Sequence, residues 1–264
     1  VGVVELWSED LPPGRLFRRT DPSLTASVPH DLVRGLIAWN GDLDRAAEAL
    51  LRCRTDPLGV RRSFRSQQGW TSFLQGLRTV LAERIDGAGI PPEVDLVEAA
   101  SLYQALYWVA RTAAVPTPDT DVLHVTAAGW AAIPAVVHKR LHGTPMVLTE
   151  HGVYVRESYL AAVRGRDSTG GRFVTTRLAR GLARLAYNNA DVVSPATEAN
   201  AVWAERLGVE PEKILVLRNG MQAIGPPEPP PRSRTVVSIG RVDPLKDVHT
   251  MLRVAADALQ RVPD

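Results

Sequence analysis

From residue 120 onward, short apolar runs alternate with amphipathic segments, and this alternation constrains the fold more than any other feature. DVLHVTA, TPMVLTEHG, DVVSPA and KILVLRNGM read as strands, the second and fourth running into polar turns. GWAAIPAVVHKRLHG, RFVTTRLARGLARLAYNNA and TEANAVWAERLGV read as the helices between them. Parallel strands need crossover connections, and helices of this length supply them, so the pattern predicts βαβ units and a parallel sheet. The first of these helices is expected to stop at Gly143, and the last to be capped by Thr197 or its neighbour.

Residues 30–115 read differently. DLVRGLIAWNGDLDRAAEALLRC is amphipathic with an Asn-Gly break, and WTSFLQGLRTVLAERI and VDLVEAASLYQALYWVARTAA repeat apolar residues at three- and four-residue spacing. Helix packing is the expected role of Trp70, Tyr103, Tyr107 and Trp108. The single cysteine, Cys53, is expected inside a helix as a small buried apolar residue, since it has no partner for a disulfide or a zinc cluster.

GPPEPPPRSR, 225–234, is too rich in proline for a helix or a central strand and marks a linker. The expected organisation is therefore a first domain over 1–224, the linker over 225–234, and the start of a second domain over 235–264. In that second domain TVVSIGRVDPLKD and VHTMLRVAADALQRV are read as one strand and one helix. A net charge of +2 gives no nucleic-acid footprint. Arg15, Arg18, Arg19, Arg61, Arg62 and Arg65 are read as solvated surface. No apolar run approaches the ~20 residues of a membrane span, and VGVVELWSED is strand-like without the features of a secretory leader. A cytoplasmic setting is expected.

Ligands of open parallel sheets bind beyond the carboxyl ends of the strands. The residues there are Ala128, Gly129 and Trp130; Glu150, His151, Gly152, Arg156 and Glu157; Pro195, Thr197 and Glu198; Arg218, Asn219 and Gly220; and Gly240, Arg241, Asp243, Lys246 and Asp247. GRVDPLKD is the sharpest local signal. It sets an Arg and a Lys five residues apart around a turn at a helix start, which suits a diphosphate and equally suits a capped helix with two surface cations. Dinucleotide, triphosphatase and hydrolase-elbow motifs are lacking. His138 and His142 stand four apart without an obvious third metal ligand and are read as surface histidines. His151, directly after a buried strand, is either structural or a hydrogen-bonding group for a substrate.

Taken in order, these segments resemble glycosyltransferase family 4, the retaining enzymes of GT-B architecture. GRVDPLKD is similar to that family's donor-phosphate motif, and VSPATEANAVWAERLGVEPEKILVLRNGM to the stretch that closes its N-terminal domain. HVTAAGWAAIPAVVHKRLHGTPMVLTEHGVYVRE resembles one branch more closely, the Pel-type exopolysaccharide (PelF-like) glycosyltransferases, through Thr149 to Glu157. The likeness covers the chain after residue 120, and the helical zone upstream would be the branch's insertion.

The resemblance implies an α/β fold of two Rossmann-like domains, the second truncated after its first βα unit. It implies sugar transfer with retention from a nucleotide-diphosphate donor, a UDP-sugar such as UDP-glucose, to a glycan acceptor. By the same resemblance, Arg241 and Lys246 would neutralise the donor diphosphate, with Gly240 at the turn. Asn219 and Gly220 would shape the cleft floor on the donor side. His151 would contact the donor sugar or act at the reaction centre, and Glu150, Gly152, Arg156 and Glu157 would sit on the acceptor side or order the loop. No metal or further cofactor is implied, and membrane-bound polysaccharide export proteins are the implied partners. The family's opening glycine-rich loop and its later acidic motif are not found, so a fragment of a longer protein, inactive alone, is expected. Two alternatives stand beside this reading. One is a non-catalytic, truncated transferase-like binding module, and the other is a sugar-nucleotide epimerase.

Overall fold

The computed structural model describes residues 26–83, 93–222, 225 and 236–261. The chain divides between Gly220 and Met221 into two units. The strand-like opening, Arg15, Arg18, Arg19 and nearly all of the Pro-rich stretch lie outside the described residues.

The first unit begins with helices, and local sequence sets where each one starts. Asp42 opens α2 (Leu43–Thr55) by accepting the Arg45 N–H at 3.0 Å, and Ser66 opens α4 (Gln67–Ala82) by accepting the Gly69 N–H at 3.0 Å. α1 (Val28–Leu36) and α3 (Pro57–Phe64) carry proline in their first turns, where no helical N–H is lost. α5 (Leu96–Ala113) starts with a reciprocal capping box between Asp95 and Glu98. The Asn-Gly break expected after α1 falls in the turn between α1 and α2.

A mixed α/β segment follows: β1 (Leu123–Val125), α6 (Ala132–His142), β2 (Met146–Glu150), α7 (Tyr154–Arg164), α8 (Thr169–Asn189), β3 (Val192–Pro195) and α9 (Glu198–Arg206). The three strands form a parallel sheet in the order β1-β2-β3, with Leu123 opposite Met146 and Leu148 opposite Val193. α6 ends at Gly143, which takes the left-handed conformation, and Thr197 caps α9 through the Asn200 N–H at 3.2 Å, as the sequence suggests. The sequence shows only a polar turn where α7 begins. Residues 151–153 do make that turn, and a helix then follows, burying Val155 and Ala162.

The result is a mostly helical α/β unit with a small parallel sheet, less than the two Rossmann-like domains expected. KILVL, read as a strand, is reduced to a single parallel bridge between Ile214 and Val193, with the Leu215 and Leu217 N–H groups donating to Val193 and Pro195. Leu215 and Leu217 are themselves exposed, so the segment has β3 on one side and little packing otherwise.

One hydrophobic core runs through the whole unit, from Val28 to Val209. Leu32, Leu36, Phe73 and Leu106 from the helical zone are as deeply buried as Ile133, Met146, Leu148 and Leu182 around the sheet. Burial of each such side chain is worth ~1.5–3 kcal/mol, so the helical zone and the sheet stabilise one another. The aromatic residues join this packing: Tyr103 lies 5.0 Å from Phe64, 5.1 Å from Trp70 and 4.9 Å from Phe73, centroid to centroid. Cys53 is fully buried in α2, and burial pushes its thiol up to about 12. Arg62 and Arg65 are exposed and Arg61 half-buried.

His138 departs from the surface reading. It is buried, and its two ring nitrogens meet Thr117 Oγ1 at 2.6 Å and Thr144 Oγ1 at 3.1 Å. Those partners satisfy both polar atoms of the ring, which is why the core tolerates it. His142 is exposed.

In the second unit a short 3₁₀ turn (Pro244–Lys246) leads into α10 (Val248–Arg261). The strand expected over 235–240 does not form: residues 236–241 carry no strand, and Val236 and Ile239 are 97% and 95% exposed. A strand is stable only when neighbours pair with its backbone, and no described residue does so here.

Candidate functional site at the carboxyl ends of the strands

The pleat of β2 sorts the functional side chains. Met146, Leu148 and Glu150 share the buried face, while Val147 and Thr149 are half-buried on the other. Glu150 is thus carried into the core, only 1% exposed. The Tyr187 hydroxyl of α8 donates to its Oε2, and the Tyr154 N–H at the start of α7 donates to Oε1 at 3.4 Å. Burial pushes the Glu150 carboxyl up, opposed by hydrogen bonds from Tyr187, Tyr154 and Ala128 and reinforced by the charge of Glu157. Burial also raises the Tyr187 phenol, and the Glu150 charge raises it further. Glu150 therefore ties the end of β2 to α7 and α8 and orders the following loop from below.

Across the pleat, Thr149 Oγ1 meets His124 Nε2 of β1 at 2.9 Å. His151 then turns outward into solvent, and its Nδ1 lies 3.1 Å from Asn219 Oδ1. For that contact to be a hydrogen bond, Nδ1 carries the proton and donates to the amide oxygen, which leaves Nε2 turned to other partners. The His151 carbonyl also accepts from Asn200 Nδ2 of α9 at 3.5 Å. Two residues 68 positions apart, both anticipated from strand-end positions, are in this way brought into one hydrogen bond.

Gly152 has a steric reason. A Cβ there would fall 2.3 Å from Glu157 Oε1, so the Glu157 carboxylate folds back over the turn. Glu157 and Arg156 sit in the first turn of α7, both exposed. Gly129 similarly faces the Tyr154 ring, 3.1 Å from where its Cβ would stand, and Tyr154 hydrogen-bonds Trp130. Arg218 pairs with Glu198 at 3.8 Å, and Gly220 is exposed at the end of the unit.

Sequence reasoning missed His124, Tyr187 and Asn200 as parts of this edge. The strand alternation was the available signal for Glu150: same parity as Met146 and Leu148 means the core face.

The second unit holds Gly240, Arg241 and Lys246 around one turn. Asp243 organises it: one carboxylate oxygen accepts the Lys246 N–H at 3.1 Å, and the other faces Arg241 Nε at 3.3 Å. A Cβ at Gly240 would stand 3.8 Å from Lys246 Cγ, an ordinary contact distance, so the Lys246 methylenes lie near the glycine. Lys246 closes the 3₁₀ turn and α10 starts two residues later, after Asp247 in the left-handed region, so the two cations flank a turn preceding the helix. Both side chains are exposed.

Among the described residues no three His, Cys, Asp or Glu side chains converge where they could hold a metal ion. No described helix is long and apolar enough to cross a membrane. A family model described as a domain of unknown function, DUF3492, matches residues 54–212. No curated protein and no solved structure matches the chain.

Proposed function

We propose that this chain, which belongs to the DUF3492 family, serves sugar transfer from a nucleotide-diphosphate donor to a glycan acceptor. The family is one found in glycosyltransferase-type proteins of GT-B-like build. The finer reading is the retaining, Pel-type branch with a UDP-sugar donor such as UDP-glucose. The observation that carries the proposal is the His151–Asn219 hydrogen bond at the carboxyl edge of a parallel sheet, where this class of fold takes its ligands.

The chemistry assigns the parts. His151, fixed by Asn219 and carried on a loop anchored through Glu150, offers Nε2 to a sugar hydroxyl or to the reacting centre. Arg241 and Lys246 are the cations for a leaving diphosphate, whose charge grows as the glycosidic bond to the nucleotide breaks. Asp243 holds Arg241 in readiness and fixes the turn through the Lys246 backbone N–H, and would share the guanidinium with the phosphates. Glu157 and Arg156 line the start of α7 as acceptor-side groups.

Calorimetric titration with UDP, UDP-glucose and GDP tests this. UDP-glucose is expected to bind. Lys246→Ala and Arg241→Ala are each expected to weaken it by about tenfold or more, the loss typical of a charge-assisted hydrogen bond. Absence of binding by every nucleotide would replace the transferase reading with that of a non-catalytic module.

A further inference from the structure

α8 carries arginines at 177, 180 and 184, a spacing that places them on one helix face. All three converge on Trp39, in the turn after α1. Arg180 and Arg177 stack on its indole at 3.9 and 4.6 Å from the ring centroid, and Arg177 also covers Phe173 at 4.9 Å. The Trp39 carbonyl accepts from Arg180 Nη1 at 2.5 Å and from Arg184 Nη1 at 3.2 Å.

These contacts hold the guanidiniums without neutralising them. Among the described residues no carboxylate forms an ion pair with any of the three. The carboxylate acting on Arg177, Glu83, is already engaged by Arg34 at 2.6 Å. Elsewhere in the same helical packing arginines are paired: Arg45 and Arg52 with Asp31, and Arg140 with Asp44. Arg177 Nη1 is moreover buried with no hydrogen-bond partner among the described residues. Burial, chiefly, pulls Arg180 down to about 10; the charges of Arg184 and Arg177 add to this and Tyr159 opposes it. Each side chain is partly exposed, Arg177 through atoms other than Nη1, so an anion can meet the cluster from its open side.

We propose that Arg177, Arg180 and Arg184, braced on Trp39, form a binding site for a phosphate group. Planar guanidiniums with donors left over match the oxygens of a phosphate, and a dianion offsets the clustered charge better than a carboxylate does. The indole fixes the forks in advance, which lowers the ordering cost of binding. The site lies wholly in the first unit and does not depend on the sugar-transfer reading.

The test is a titration of the full chain carrying Arg241→Ala and Lys246→Ala, so that no signal arises from the diphosphate turn. Inorganic pyrophosphate, glucose 1-phosphate and acetate are compared at matched ionic strength by calorimetry and thermal shift. Pyrophosphate is expected to bind saturably and raise Tm. Glucose 1-phosphate binding more tightly than pyrophosphate would identify a sugar-borne phosphate as the source, and the reverse a free one. Adding Arg177→Gln is expected to weaken binding by about tenfold or more while lowering the anion-free Tm only slightly, because the stacking lost on Trp39 and Phe173 is offset by removal of an unpartnered buried donor. If that variant does not fold, Arg177→Lys keeps the charge, loses the fork and is expected to show the same direction of change. No saturable binding, equal binding by the Arg177 variant, or acetate binding as tightly as pyrophosphate would each overturn the proposal.

Discussion

Helices α8 and α10 carry comparable apolar patterns and end in opposite states. α8 buries Val174, Leu178, Leu182 and Leu185 between the helical zone and the sheet. α10 buries nothing: Leu252, Val254 and Leu259 are 63%, 63% and 69% exposed. The strands repeat the contrast, since Leu148 and Val193 pair in the centre of a sheet while Val236 to Ile239 pair with nothing described. The period of apolar residues says which face can be buried. Whether it is buried depends on a second surface, and the stabilisation belongs to the pair.

Substitutions in matched positions probe that difference. The largest effect is expected at Gly181, where a Cβ would stand 2.0 Å from the Leu36 carbonyl oxygen. Gly181→Val must push α8 off α1 and is expected to cost upwards of ~3 kcal/mol, or to prevent folding, by denaturant titration. Ala256→Val on α10 meets no packed surface and is expected within ~0.5 kcal/mol of the parent. Next, Phe73→Ala in the core is expected to cost ~3–5 kcal/mol, against ~0.5 kcal/mol or less for Leu259→Ala. Comparable losses at Leu259 and Phe73 would show that α10 is packed in solution and would dissolve the contrast.

A smaller effect is carried by Glu150. Its carboxyl is raised in the fold, so the native state holds its proton to higher pH than the unfolded chain. Stability contributed by the protonated form is present below the unfolded value, around 4.3, and is lost as pH rises from there through the raised folded value. Glu150→Gln keeps an acceptor for Tyr187 and is expected to flatten that part of the Tm-versus-pH profile. An unchanged profile would mean that Glu150 is not held as a buried carboxyl.

Much of this was legible where the determinants are local. Gly143 and Thr197 mark helix ends because left-handed backbone and side-chain capping are decided by one or two residues. β1, β2 and β3 show as apolar runs, and the strand-end positions led to His151 and Asn219. What stayed hidden depends on distant partners. His138 is buried because Thr117 and Thr144 meet its ring, and nothing in HKRLH shows that. Glu150 meets Tyr187 across 37 residues, and Trp39 meets Arg180 across 141. α7 was concealed by its polar, glycine-containing entry, although Val155 and Ala162 lie on one face. The strand at 235–240 failed for the complementary reason: its pattern is sound, but no described neighbour supplies the ladder.

On the function proposed above, the carboxyl edge of the sheet, centred on His151, is the working surface of the first unit. Hydrogen exchange of the chain with and without saturating UDP-glucose tests it most directly. Binding is expected to slow amide exchange over residues 149–157 and 217–220, and His151→Ala is expected to remove that protection while leaving the core amides of α4 and α8 unchanged. Exchange over those two segments that is identical with and without UDP-glucose would contradict the claim.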